Sequence, residues 1–139
     1  MSANAPDLIE KATEALERAW APYSGFSVGA ALLAEDGRVF TGCNVENASY
    51  GLTVCAERTA VFKAVSEGAR SFKALALVCD GTHPVPPCGA CLQVLREFAA
   101  DLPISFGTLG GAVRRTSLKK LLPSPFRADD IVKDRGSPS

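Results

Sequence analysis

The order of apolar patterns along this chain predicts a mixed α/β domain, a β-sheet with helices packed on its faces. Three observations carry that reading. Apolar residues recur at helical spacing over 6–20, an Asp36-Gly37 pair separates two strand-like stretches, and Ala74–Val78 runs apolar without interruption between charged or polar ends. The first is the mark of an amphipathic helix, the second of a hairpin, and the third of a strand buried on both faces.

The elements follow in order. Pro6 suits a first helical turn, and Leu8, Ile9, Ala12, Ala15, Leu16 and Ala19 then form one apolar stripe running to Trp20. Val28–Ala34 and Arg38–Val45 flank Glu35-Asp36-Gly37 as two antiparallel strands. A second helix spans Cys55–Gly68, with Ala60, Val61, Ala64 and Val65 on one side and Gly68 as its stop. After the Ala74–Val78 strand, a Pro- and Gly-rich loop over 80–87 leads into a third helix, Cys88–Ala99, and a short strand, Ile104–Phe106. A glycine turn and a further short strand are expected within Thr108–Thr116, and Ser117 is expected to cap a brief helix through Leu122. Beyond Pro123 the chain is rich in Pro, Ser and charge, and a flexible tail is expected from about residue 127. No repeat or second domain is visible, so residues 1–139 read as one domain.

Composition narrows the function. A chain of 139 residues can bury a core without a metal staple. Its formal net charge is zero and no run of Lys or Arg marks a polyanion track, which argues against nucleic acid and for a small uncharged substrate. Neither a signal peptide nor a membrane-length apolar stretch is seen, so a cytoplasmic location is expected, with no membrane partner. Five cysteines, an odd number, suit reduced thiols better than a disulfide framework. Cys43 and Cys79 read as small buried apolar groups, His83 as a surface residue, and Trp20 as core or interface.

The remaining cysteines form two islands, Cys55-Ala56-Glu57 and Pro87-Cys88-Gly89-Ala90-Cys91, each opening a helix. Thiolates suit Zn²⁺, and a fourth protein ligand would close the shell as in structural sites. No second C-x-x-C is present, so the expected shell is Cys55, Cys88 and Cys91 plus water, with Glu57 close by as a base. Residues three apart on a helix are surface neighbours, so Cys88 and Cys91 can reach one ion. Cys55 and Glu57, two apart, belong around a helix mouth. Helix N-termini and Arg58 would offset the negative charge of three thiolates, Arg58 as a partner to a sulfur. A lone C-x-x-C is also compatible with a redox pair, half a zinc knuckle or two core thiols, and spacing alone allows any zinc-assisted hydrolysis.

Taken together, the two islands match the zinc-deaminase signature H-x-E…P-C-x-x-C, with Cys55 in the place of His. Two more islands precede and join them, Tyr23-Ser24-Gly25-Phe26-Ser27-Val28-Gly29-Ala30-Ala31 and Asn44-Val45-Glu46-Asn47-Ala48-Ser49-Tyr50-Gly51. From Tyr23 to about Phe126 the chain resembles cytidine deaminases of the short, homotetrameric kind. That resemblance implies a three-layer α/β/α sandwich around a mixed five-stranded sheet, one zinc ion per subunit, and hydrolysis of cytidine and deoxycytidine to the uridines with loss of ammonia. It implies that Glu57 carries protons from water to ring N3 and to the departing amine. Phe26 would pack on the pyrimidine, the Ala56 backbone would meet its amide edge, and Tyr50 would be a further substrate contact. Strand geometry puts Asn44 and Glu46 on one face, which by itself fits solvent-facing residues, and the resemblance assigns them to the ribose. Phe126 would reach the pocket of a neighbouring subunit. Arg127-Ala128 departs from the family's usual Gly-Pro, and Leu92 stands where many relatives carry Arg or another residue.

Two other readings compete. A blasticidin-type deaminase shares the zinc core, but the Asn44–Tyr50 island favours an ordinary nucleoside. A zinc-stabilised binding module without turnover has no need of a carboxylate beside an open metal position, which Glu57 supplies.

Overall fold

The computed structural model describes residues 7–131. The first helix, α1 (Leu8–Leu16), starts at Asp7, whose carboxylate accepts the Glu10 N–H at 3.1 Å. Pro6 lies outside the described residues. The helix stops four residues short of the expected Trp20 because that residue is drawn into extended pairing. Its N–H donates to the Asn44 carbonyl at 2.9 Å, and its carbonyl accepts the Glu46 N–H at 2.8 Å. Trp20 is 59% exposed, so it has no part in the core of this chain.

Strands β1 (Val28–Ala34) and β2 (Val39–Cys43) form the expected hairpin. Gly37 at φ 95° supplies the left-handed residue that the turn requires. The second strand ends at Cys43, two residues earlier than expected, because Asn44 changes partners. Its Oδ1 accepts the Val28 N–H at 2.9 Å, and the next residue, Val45, pairs with Val54. Then come α2 (Ala56–Ser66), β3 (Phe72–Cys79), α3 (Gly89–Phe98), β4 (Pro103–Thr108) and β5 (Val113–Ser117). Strands β3 and β4 are longer than their apolar runs because the ladders continue past them, β3 across a bulge at Lys73 to Phe72 and β4 to Thr108. Ser117 caps α4 (Leu118–Leu121) by accepting the Lys120 N–H. A single turn, α5 (Ala128–Ile131), follows where the sequence suggested no element.

The five strands lie in the order β2-β1-β3-β4-β5, antiparallel throughout except for the parallel β3–β4 pair. Alternation divides the central strands between two cores. Ala30, Leu32, Leu75 and Leu77 face α2, α3 and α4, while Ala31, Ala76 and Val78 face α1. This makes a three-layer sandwich on a mixed five-stranded sheet, and Leu92 is buried within its larger core. Cys79 is buried as expected, whereas Cys43, at the end of an edge strand, is only partly covered. No helix among the described residues is long and apolar enough to cross a membrane.

Topology places the site. Because β1 is antiparallel to both β2 and β3, those two strands run in the same direction and finish at the same end of the sheet. The helices that follow them, α2 and α3, therefore begin at that end. Close contact sets the depth of α2. A Cβ on Gly42 would lie 2.5 Å from both the Ala56 carbonyl oxygen and the Ala60 nitrogen, so only glycine allows the helix mouth to rest on β2. The outcome expected for Gly42→Ala is a loss of about 1–3 kcal/mol in denaturant unfolding, as for an overpacked core. Turnover should fall as well, because the displaced turn carries Cys55 and Glu57.

Candidate active site

Three thiols meet at this end of the sheet. Cys55 is the residue from which α2 springs, Cys88 does the same for α3, and Cys91 follows in the first turn of α3. Neither cap uses its side chain to close the helix end, which leaves both sulfurs free to face one another. The Sγ atoms of Cys55 and Cys88 are 3.9 Å apart and those of Cys88 and Cys91 3.5 Å apart, and all three lie within 4.8 Å of one another. Tetrahedral zinc with Zn–S bonds of about 2.3 Å separates its sulfurs by about 3.8 Å, so the donor set fits that ion in chemistry and in spacing. With three protein donors, one position is left for water.

The surroundings favour thiolate. A hydrogen bond from Cys91 and the Arg58 guanidinium, whose Nη2 donates to Cys55 Sγ at 3.3 Å, pull the Cys55 thiol well below its usual range against the effect of burial. Cys91 moves the opposite way, because it holds the proton shared with Cys55 and is buried. Arg58 in turn is held more firmly protonated by Cys55. Glu57, the second residue of α2, is only 5% exposed. Burial pushes its carboxyl up to about 7, aided by the charge on Cys55 and opposed by its own backbone N–H, by Cys91 and by Arg58.

These groups open onto a cleft of about 210 Å³. Phe26, Asn44, Cys55, Ala56, Glu57 and Cys88 line it, bringing together most of the residues that the sequence singled out. Asn44 is buried rather than solvent-facing, and both ends of its amide are engaged. Its Oδ1 takes the Val28 N–H, and its Nδ2 donates to the Phe26 carbonyl at 2.8 Å. One lone pair and one N–H remain. Glu46 and Tyr50 line an adjoining cleft with Tyr23 and Ser24, and Thr53 borders both clefts. The rings of Tyr23 and Tyr50 meet edge to face with centroids 6.0 Å apart.

Phe126 is not brought to the cleft of its own chain. It is 56% exposed, and its backbone N–H and carbonyl are both held by the side-chain amide of Gln93 in α3. His83 is exposed in the loop before α3, as expected. Sequence reasoning passed over Thr53, Gln93 and Ser24. Ser24 lies inside one of the islands and Gln93 two residues beyond another, but their partners are distant in sequence and nothing local marks them.

Comparison with known proteins bears on this geometry. Residues 3–105 match the family model described as the cytidine and deoxycytidylate deaminase zinc-binding region, a span that includes all three cysteines and Glu57. The chain belongs to this deaminase family. A cytidine deaminase of Sporosarcina psychrophila is 54% identical over 125 residues, covering 89% of this chain and 92% of the relative. A second, from Halalkalibacterium halodurans, is also 54% identical and covers 89% and 95% of the two chains. The crystal structure of cytidine deaminase from Burkholderia pseudomallei is 52% identical and superposes with a TM-score of 0.83, covering 91% of this chain and all of that one.

Cys88 is exposed at the mouth of α3 and belongs to neither packed core, although Cys91 is fully buried. Metal and fold are therefore separable at Cys88. Cys88→Ala is expected to lose its stoichiometric zinc in metal analysis while keeping the wild-type circular dichroism spectrum. Full occupancy in that variant would refute the three-cysteine shell.

Proposed function

We propose that this chain is a zinc-dependent cytidine deaminase, converting cytidine and deoxycytidine to uridine and deoxyuridine with release of ammonia. The carrying observation is Glu57, a buried carboxyl beside three convergent thiols at the wall of one cleft. Cys55, Cys88 and Cys91 would hold one zinc ion per chain. When bound, the ion supplies Lewis acidity that brings the pKa of water toward neutrality.

The proton work falls to the chain. Glu57 takes a proton from the attacking water and gives it to N3 of the cytosine ring as the oxygen bonds to C4. It then takes the proton of the new C4 hydroxyl and delivers it to the amino group, so that the C4–N bond breaks, ammonia leaves and the carbonyl forms. One carboxyl can serve each transfer because it stands within the same closed wall of the cleft throughout. Arg58 offsets the surplus negative charge of the sulfurs through Cys55. Phe26 packs against the pyrimidine, and the backbone at Ala56 meets its amide edge. Asn44 retains one donor and one acceptor site for the ribose, Glu46 takes a sugar hydroxyl, and Tyr50 completes the substrate contacts.

The same reading extends to the assembly. Phe126, exposed and held away from its own cleft, serves the pocket of a neighbouring copy in a homotetramer. The substrate is a free nucleoside, with no nucleic acid or membrane partner, which fits zero net charge and a cytoplasmic enzyme of pyrimidine salvage. Residues 1–139 act as a single domain; of the tail expected from about residue 127, residues 128–131 carry the single turn of α5 and the remainder lies outside the described residues. A binding module without turnover leaves Glu57 unexplained. A blasticidin-type activity is disfavoured by relatives at 54% identity that carry the name cytidine deaminase.

Glu57→Gln is expected to retain zinc and lose turnover by about 10² to 10⁴ or more in an ultraviolet assay, because an amide cannot carry the proton. Activity within tenfold of wild type would sink the assignment. In the same assay free cytosine and CMP should be poor substrates, the one lacking the sugar and the other bringing a phosphate toward Glu46. CMP turnover equal to that of cytidine would count against the sugar contacts.

The assembly has its own test. Mixing Glu57→Gln subunits with Phe126→Ala subunits should raise activity above that of Phe126→Ala alone, because some pockets then combine Glu57 of one chain with Phe126 of another. No rise after verified subunit exchange, or a monomer on sizing, would show that each pocket is completed within one chain.

A further inference from the structure

Residues 23–26 fold around a single hydroxyl. Gly25 lies at φ 70°, a conformation that other residues rarely adopt, and this lets the Ser24 side chain turn back over the bend. Ser24 Oγ accepts the Phe26 N–H at 3.0 Å and donates to Oε2 of Glu46. The backbone N–H groups of Tyr23 and Ser24 donate to Oε1 of the same carboxylate at 2.9 and 3.1 Å. Chemistry fixes the direction of the hydroxyl proton. An N–H can only donate and an ionised carboxylate can only accept, so the single O–H points at Glu46. Ser24 is also the foremost reason that Glu46 is held below the usual carboxylate range.

The two partners of Ser24 depend on it unequally. Phe26 has a second anchor, since its carbonyl accepts Asn44 Nδ2, and its ring packs so closely on Gly81 that a Cβ there would lie 2.9 Å from Cε1. Oε2 of Glu46 has no other partner among the described residues. A carboxylate oxygen accepts about two hydrogen bonds, so Oε1 is filled and Oε2 has one lone pair left. That lone pair suits one incoming donor, such as a hydroxyl, and has nothing to offer an acceptor-only group. Glu46 lines the cleft that adjoins the catalytic one at Thr53, so the donor belongs to whatever extends from the bound base.

We propose that Ser24 is a positioning residue for sugar recognition, its hydroxyl orienting the Glu46 carboxylate so that the remaining lone pair meets a hydroxyl of the nucleoside sugar. This rests on the reading of Glu46 as a sugar contact given above. Ser24 acts through Glu46 and takes no part in the proton transfers at the base.

The test uses the zinc-loaded enzyme with uridine and uracil as competitive inhibitors, one carrying the sugar and the other lacking it. Ser24→Ala is expected to raise the inhibition constant of uridine and the KM of cytidine about five- to tenfold, as for the loss of a modest hydrogen bond. The uracil constant, kcat and zinc content should stay at wild-type values. Ser24→Thr, which keeps the hydroxyl, should restore the uridine-to-uracil ratio, and Ser24→Cys, with a weaker donor, should give an intermediate one. An unchanged ratio in both Ser24→Ala and Ser24→Cys would overturn the proposal. So would an equal weakening of uridine and uracil, or loss of zinc, either of which marks a general structural role. Glu46→Gln separates the two layers of the argument. If it leaves the ratio unchanged, the sugar contact itself is wrong, whereas if it collapses the ratio and Ser24→Ala does not, only the role of Ser24 fails.

Discussion

The pairing of β1 with a strand on each side, both antiparallel to it, is the constraint from which the rest of the structure follows. It makes β2 and β3 co-directional without a direct contact between them, and so brings two chain reversals to one end of the sheet. Each reversal ends in a helix whose N-cap residue is a cysteine. Two helix N-termini with their free N–H groups then converge where negative charge must be held. Chemistry that needs three thiols and a carboxyl in one place is thus assembled from backbone direction before any side chain is considered.

What side chains add is a balance of charge and burial. Three sulfurs lie within 4.8 Å of one another and a buried carboxyl lines the same cleft, so their negative charge needs compensation. Arg58 supplies a full positive charge at Cys55, while the burial of Glu57 favours its protonated form. The cleft between them is walled largely by apolar groups such as Phe26 and Ala56, which strengthens every electrostatic interaction inside it. Polar groups are few, and Asn44 in this cleft and Glu46 in the adjoining one are already tied to backbone, so that they meet a ligand in fixed positions.

Much of this was legible in the sequence, and the parts that were not share a cause. Asp36-Gly37 announced its hairpin because turn chemistry is local, and the uninterrupted apolar run Ala74–Val78 announced a strand with two buried faces. The thiol cluster could be read because Cys88 and Cys91 sit at helical spacing and Cys55 stands next to Glu57. The end of β2 could not, since the Asn44 carbonyl turns to the Trp20 N–H and its side-chain oxygen takes the Val28 N–H instead, tertiary bonds with no local sign. Trp20 is apolar enough to promise burial, yet it lies at the surface because its backbone pairs with residues 44 and 46. Glu46 looked like a free carboxylate at a strand end, and the three donors that hold it come from a turn twenty-odd residues earlier. Periodicity proposed helices and strands, but strand order and the division of layers came only with the fold.

The central position of β1 also bears on how the chain is made. One neighbour, β2, follows directly across a tight turn, but Ala34 finds its other partner in Phe72 and Val28 in Cys79, so roughly forty to fifty residues separate the two strands. On a ribosome adding about 5–20 residues per second, the second edge of β1 stays unpaired for a few seconds after the hairpin has formed. That edge belongs to Val-Gly-Ala-Ala-Leu-Leu-Ala, apolar on both faces and without a charge or proline to deter another strand. The strand that organises the finished enzyme is therefore, in the nascent chain, an unpaired apolar edge open to misassociation until Phe72–Cys79 arrives.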